Sequence, residues 1–220
     1  MSPTRIRQGF RICALALSLT VTVVIGIELS SRLLDYVQSE FGDAARQRLV
    51  QWQELQKLAS HAPVRRQLRL VNSFFNQVHF VNDLEHWGEE DYWATPVELL
   101  ATDGGDCEDF SIAKYLTLRA LGVPDDQLRI TYVKALELNQ AHMVLAWYKT
   151  PDADPLILDN LINEIRPASE RDDLEPVYSF NGEGLWLQKK GGGVDSKRIG
   201  NADKLKNWTD LNNRLIDSLR

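Results

Sequence analysis

Apolar residues change their spacing between Gly122 and Leu128, and the change leaves few folds open. Upstream they recur every three or four residues, as on one face of a helix. Leu49, Trp52, Leu55 and Leu58 predict a helix over 44–59. Leu68, Val71, Phe74, Phe75 and Val78 predict the buried side of another over 64–81. Thr95-Pro96-Val97-Glu98 reads as a capping box with proline at the first helical position, opening a short helix that ends near Thr102. Gly104 and Gly105 break it. Asp106, with Asp109 three residues on, can cap a further helix carrying Phe110, Ala113, Leu116 and Leu121, with Gly122 before Pro124 as its stop. Downstream, 128–133, 143–148 and 156–158 are short apolar or alternating runs bounded by turn residues, the pattern of strands. Two more strands are expected over 176–180 and 184–188, joined through Asn181-Gly182-Glu183. A glycine connection at Gly191 to Gly193 and a helix over 202–219, through Leu205, Trp208, Leu211 and Leu215, complete the reading. Helices first and strands later predict one α+β domain.

The N-terminus differs from the rest. Arg5, Arg7 and Arg11 precede a run from Ile12 to Ile27 without a charged residue, the pattern of a secretory signal. The run is about sixteen residues, against the roughly twenty of a full membrane span. A small-x-small cleavage site is not evident, so an uncleaved anchor with its arginines in the cytoplasm stays open, as does a buried core helix. The expected division is a signal peptide or membrane anchor over 1–29 and a single domain over 30–220. Both export readings place that domain outside the cytoplasm. Cys13 lies in the apolar run, so the domain has one thiol, Cys107, and no internal disulfide. A lone thiol in an oxidising compartment is either buried and inert or kept for its reactivity. The whole chain has a net charge of −6 and a pI near 5.3, which argues against a nucleic-acid surface. Without the first 29 residues, which hold Arg5, Arg7, Arg11 and Glu28, 22 basic residues face 30 acidic ones.

Cys107 falls in the first turn of an expected helix, where free N–H groups and the helix dipole favour a thiolate and can donate to an oxyanion. Asp106, Glu108 and Asp109 flank it and oppose a thiolate, so an imidazolium or a metal cation must offset them. His142 stands where a strand begins, and Asp159 closes the run Leu156-Ile157-Leu158. Each residue alone has an ordinary structural reading. Their order matters more: in antiparallel neighbouring strands, a His at one strand's start meets an Asp at the next one's end. The Asp would fix the imidazole tautomer while the other ring nitrogen faces the thiol.

Gly105-Asp106-Cys107-Glu108-Asp109-Phe110, Ala113-Lys114-Tyr115, Leu121-Gly122-Val123-Pro124, His142-Met143-Val144-Leu145, Leu158-Asp159-Asn160 and Tyr92-Trp93-Ala94-Thr95-Pro96 all stand in this chain. Together they resemble the bacterial transglutaminase-like cysteine proteinases, in particular their periplasmic LapG-type branch, over about residues 65–190. The resemblance implies a transglutaminase-like, papain-like cysteine protease core. It implies Cys107 as nucleophile, His142 as general base and then acid, and Asp159 as the orienting carboxylate. The Cys107 N–H would serve as oxyanion donor, and Trp93 as either a second donor or a core aromatic. It further implies calcium, for which Asp106, Glu108 and Asp109 offer hard oxygen ligands, with helix capping as their plainer role. Substrate and partners follow from the resemblance alone. They are a large LapA-like surface adhesin, cut near its N-terminus at paired alanines to release cells from biofilms, and an inner-membrane cyclic-di-GMP receptor of the LapD type that sequesters the protease. The same nucleophile chemistry would also serve an acyl transferase such as a transglutaminase, and a calcium-stabilised binding module is a third, non-enzymatic reading.

Overall fold

A computed structural model describes residues 27–187 and 196–219. The apolar run through residue 26, Cys13 and the expected connection at Gly191 to Gly193 lie outside these. Among the described residues no helix is long and apolar enough to cross a membrane. Residues 27–29, on the leader side of the expected boundary, pack against the domain: Leu29 is buried, and the Ile27 N–H donates to Gln56 Oε1 at 2.8 Å.

Among the described residues, seven helices precede, flank or follow the sheet: α1 (Ser31–Phe41), α2 (Asp43–Ala59), α3 (Val64–Phe75), α4 (Asp83–His86), α5 (Pro96–Thr102), α6 (Cys107–Ala120) and α7 (Lys206–Ser218). The strands are β1 (His79–Phe80), β2 (Gly104–Gly105), β3 (Leu128–Ala135), β4 (Gln140–Trp147), β5 (Leu156–Leu158), β6 (Arg166–Pro167), β7 (Leu174–Phe180), β8 (Leu185–Leu187) and β9 (Lys197–Gly200). β1 and β2 form a small parallel pair. The other seven make an antiparallel sheet in the order β6-β5-β4-β3-β7-β8-β9. This is the α+β arrangement the change of period predicts, with helices N-terminal and the antiparallel sheet C-terminal.

The core lies between the helices and one sheet face. It includes Leu49, Trp52, Leu68, Phe75, Phe110, Leu118, Leu128, Leu145 and Phe180, all buried. Trp52 reconciles its size with its polar edge by donating its indole N–H to Thr117 Oγ1 at 2.9 Å. The opposite face carries a smaller cluster of Val133, Val144, Ala146 and Ile157 beside a cavity of about 370 Å³.

Several expected details shift. Leu58 is exposed, because a spacing of three falls behind the 3.6-residue turn and drifts around the helix; Gln56 and Ala59 are buried instead. The helix expected over 64–81 ends at Phe75, since the Asn76 side chain is drawn off to the Asp159 carbonyl and to Asn163. Beyond it, His79 and Phe80 pair with the two glycines that come after α5. The helix expected over 202–219 divides into a short 3-10 turn, Ala202–Lys204, and α7. β7 starts before Pro176, which sits where its pairing with β3 shifts register, a position that tolerates a missing N–H. β4 starts at Gln140, so His142 lies inside the strand opposite Val133.

Candidate active site

Local sequence places the thiol. Thr95 accepts the Glu98 N–H and Glu98 accepts the Thr95 N–H, so the capping box opens α5 as expected. α5 ends at Asp103 in a left-handed conformation, and Gly104 and Gly105 turn the chain into α6. Gly105 is required there: a Cβ at this position would lie 2.5 Å from Asp109 Oδ2 and 2.7 Å from Leu99 Cδ1. Asp109, fully buried, accepts the Ala94 N–H at 2.6 Å on one oxygen and the Asp106 N–H at 3.1 Å on the other. One side chain thus joins the start of α6 to the segment before α5, and Cys107 takes the first helical position.

The thiol is set against β4. It donates to Glu108 Oε2 at 3.0 Å, and the backbone N–H of Met143, the residue after His142, favours its ionised form. Burial above all, then the charge and hydrogen bond of Glu108 and the charge of Asp106, push the thiol well above its ordinary range, against the Met143 N–H. The acidic flank opposes ionisation, as its sequence suggests.

His142 and Asp159 come together as strand pairing dictates. β4 and β5 run antiparallel with Leu145 opposite Leu158, which brings the end of β5 toward the start of β4. His142 Nε2 lies 2.8 Å from Asp159 Oδ1, and both residues are buried. The same oxygen accepts the Leu161 N–H at 3.0 Å, and Oδ2 accepts Arg171 Nη2 at 2.8 Å. Burial pushes the Asp159 carboxyl up, but His142, the Leu161 N–H and Arg171 together outweigh it and hold the group at about 2. Asp159 is therefore an anion and accepts from Nε2, so in a neutral imidazole the one ring proton sits on Nε2 and Nδ1 is the acceptor. Asn76 Nδ2 also holds the Asp159 backbone carbonyl, at 2.8 Å.

The carboxylates around the nucleophile extend beyond the expected Asp106, Glu108 and Asp109. Ligand oxygens of Asp83, Asp106 and Asp109 lie within 4.8 Å of one another, and so do those of Asp83, Asp91 and Glu108. Burial first, then neighbouring carboxylates, push Asp83 up to about 6 and Asp106 up to about 8. Asp83 Oδ1 and Asp106 Oδ1 are buried with no hydrogen-bond partner among the described residues. An all-oxygen donor set with orphaned carboxyl oxygens fits a hard cation such as calcium. Within that set Asp109 is already engaged by two backbone amides. Trp93 gives its indole N–H to Asp91 Oδ1 at 2.8 Å and stacks on Phe180, which matches its core-aromatic alternative.

Arg171, Asp83 and Asp91 are absent from the residues singled out in the sequence. Asp91 had a faint signal, in the acidic run Glu89-Glu90-Asp91 just before Tyr92. Arg171 and Asp83 had none, because each reaches the site only through tertiary packing.

A family model described as bacterial transglutaminase-like cysteine proteinase BTLCP matches residues 36–174. Among curated proteins, none matches the chain. Among solved structures, Legionella pneumophila LapG is 47% identical, with a TM-score of 0.73, over 86% of this chain and 99% of that one. Its EGTA-treated form is 48% identical, with a TM-score of 0.75 and the same coverage. Its calcium-bound form is 49% identical, with a TM-score of 0.71, over 84% of this chain and 97% of that one.

Proposed function

The chain belongs to the bacterial transglutaminase-like cysteine proteinases, and on that premise we propose that it is a calcium-dependent periplasmic endopeptidase working through Cys107, His142 and Asp159. One observation carries the assignment of residues. The His142–Asp159 hydrogen bond at 2.8 Å leaves Nδ1 available on the strand whose next backbone amide, that of Met143, favours the Cys107 thiolate.

Cys107 passes its proton to Nδ1 of His142 and its sulfur attacks the peptide carbonyl carbon. Its own N–H, one of the unpaired donors in the first turn of α6, faces the developing oxyanion. As the C–N bond breaks, His142 returns the proton to the leaving amine and a thioester remains. Water then gives its proton to His142 and its oxygen to the acyl carbon, releasing the acid and restoring the thiol. Asp159 stays ionised throughout and stabilises the imidazolium. Asp106 and Glu108, with Asp83 and Asp91 beside them, would hold the calcium, while Asp109 braces the loop. The ion supplies positive charge where the acidic flank otherwise disfavours a thiolate. The calcium-bound and EGTA-treated forms of Legionella LapG support this ion over other hard cations.

The basic and apolar leader over 1–29 supports export to the periplasm. Likeness to the LapG type supports a LapA-like adhesin as substrate, cut near its N-terminus at paired alanines to promote biofilm dispersal. It also supports restraint by a LapD-type cyclic-di-GMP receptor. The test is cleavage of an N-terminal adhesin fragment by wild type and Cys107→Ala, each in calcium and in chelator. Cutting only by wild type in calcium is expected. Equal cutting in excess chelator would remove calcium from the reading, and cutting by folded Cys107→Ala would remove the nucleophile. A labelled amine in the same reaction separates hydrolysis from acyl transfer.

A further inference from the structure

Asp159 is gripped from two sides, and only one of its partners belongs to the proposed triad. Arg171 is 3% exposed and stands in the turn that leads into β7. Its Nη2 reaches Asp159 Oδ2 at 2.8 Å and Asp173 Oδ2 at 2.7 Å, while its Nε reaches Asp173 Oδ1 at 2.8 Å. Asp173 therefore holds the guanidinium by two bonds along one edge and fixes where it points. We infer that Arg171, anchored by Asp173, is a positioning residue that keeps Asp159 ionised and turned toward His142, so that Nδ1 of the imidazole stays free for the thiol. The inference rests on the proposed roles of Cys107, His142 and Asp159.

The chemistry requires a permanent cation at this place. A buried carboxylate facing only a neutral imidazole and one amide tends to take up a proton. A protonated Asp159 would donate to Nε2 and drive the imidazole proton onto Nδ1, where it could not accept from Cys107. Among the described residues, the charged and titratable groups that act on Asp159 include His142 on β4, Arg171 and Asp173 ahead of β7, and Lys114 on α6. Lys114 cannot replace Arg171. It is fully buried, and burial lowers it to about 7 despite the charge of Asp159, so it is only partly charged near neutrality. A guanidinium does not lose its proton in this range, and its planar fork spans two carboxylates as an ammonium cannot.

The experiment compares full-length wild type, Arg171→Gln, Arg171→Lys and Asp173→Asn in saturating calcium. For Arg171→Gln the expected result is a fall in kcat of about 10²-fold, with KM within about twofold. The acid limb of the kcat profile should move to higher pH as the Asp159 carboxyl loses its cation. Arg171→Lys should recover part of kcat and return the limb toward its original place, which a purely structural role would not produce. A folded Arg171→Gln with wild-type kcat and an unmoved limb would overturn the inference. If Arg171→Gln does not fold, Asp173→Asn decides, because it loosens the guanidinium from a partly exposed position. A lowered kcat supports the clamp and an unchanged one rejects it. Failure of the protease reading shows separately, as absence of cleavage by wild type. In that event alkylation of Cys107 by iodoacetamide, read by mass spectrometry on its own peptide, still compares the variants. Slower alkylation in Arg171→Gln supports the inference, and an equal rate overturns it.

Discussion

Asp109 and Cys107 are two positions apart in the same helical turn, yet they do different work. Asp109 satisfies two backbone amides in a buried place, so Asp109→Ala leaves both without a partner. Each orphaned group costs about 1–3 kcal/mol, and urea unfolding should show a combined loss on the order of 2–5 kcal/mol. Cys107→Ala touches neither amide and should shift stability by less than about 1 kcal/mol while removing cleavage. Asp159 gives a pH signature. Its carboxyl is lower in the folded chain, at about 2, than in an unfolded one, so the unfolded chain binds more protons between the two values. The resulting stability, on the order of 2 kcal/mol, is fully present above about pH 4 and is lost as pH falls through 2. Acid unfolding of Asp159→Asn should lack this component. Lys114 acts at the other end. Its folded value near 7 lies below the unfolded one, so stability rises from about pH 7 to pH 10 in wild type, and that rise should be absent in Lys114→Met.

At the scale of elements, what could be read in advance was local. The capping box at Thr95 and the helix start at Cys107 depend on residues three apart, and such short-range chemistry is visible in a sequence. The change of period gave the layers for the same reason. α1 was missed because Leu33, Leu34 and Val37 come directly after the apolar leader and offer no separate pattern. β1 and β2 have two residues each, too few for any period, yet they bring the chain before Asp83 alongside the chain before Cys107. Arg171 reaches Asp159 from twelve positions away by the turn into β7, and nothing local announces that. The helix after the sheet shows how distant an active-site support can be. Arg214 on α7 donates to the Trp93 carbonyl, pairs with Glu98 at 3.3 Å and lies 4.5 Å over the Tyr92 ring. Asn207 donates to Asp91 Oδ2 at 2.8 Å. α7 thus straps down the segment that carries part of the acidic cluster. Arg214→Ala should lower stability by about 1–2 kcal/mol, and Asn207→Ala should weaken calcium binding measured by calorimetry while leaving the far-ultraviolet CD unchanged.

The whole molecule stores like charges in one place. Several carboxylates meet where α4, the segment before α5 and the start of α6 converge, and two of their buried oxygens have no partner among the described residues. A cation that binds the folded chain alone adds stability by mass action, about 2.7 kcal/mol at one hundred times its Kd. For a domain of this size that corresponds to a rise in Tm of about 5–10 °C. Thermal unfolding in calcium against EGTA should show it, with magnesium much less effective because it demands a smaller octahedral shell. Asp106→Asn should reduce the calcium-dependent rise, and an equal rise in that variant would remove Asp106 from the ligand set.

The two backbone amides held by Asp109 have a consequence for descent. The fastening of this fold and the sulfur of Cys107 are separate groups, so either can change without the other. A copy that lost Cys107 would keep its shape, its acidic cluster and its surface, and could still occupy whatever the active form occupies. A copy that lost Asp109 would keep the sulfur and lose the place that holds it. Silent relatives of this protein are therefore expected to retain aspartate at position 109 more faithfully than cysteine at 107.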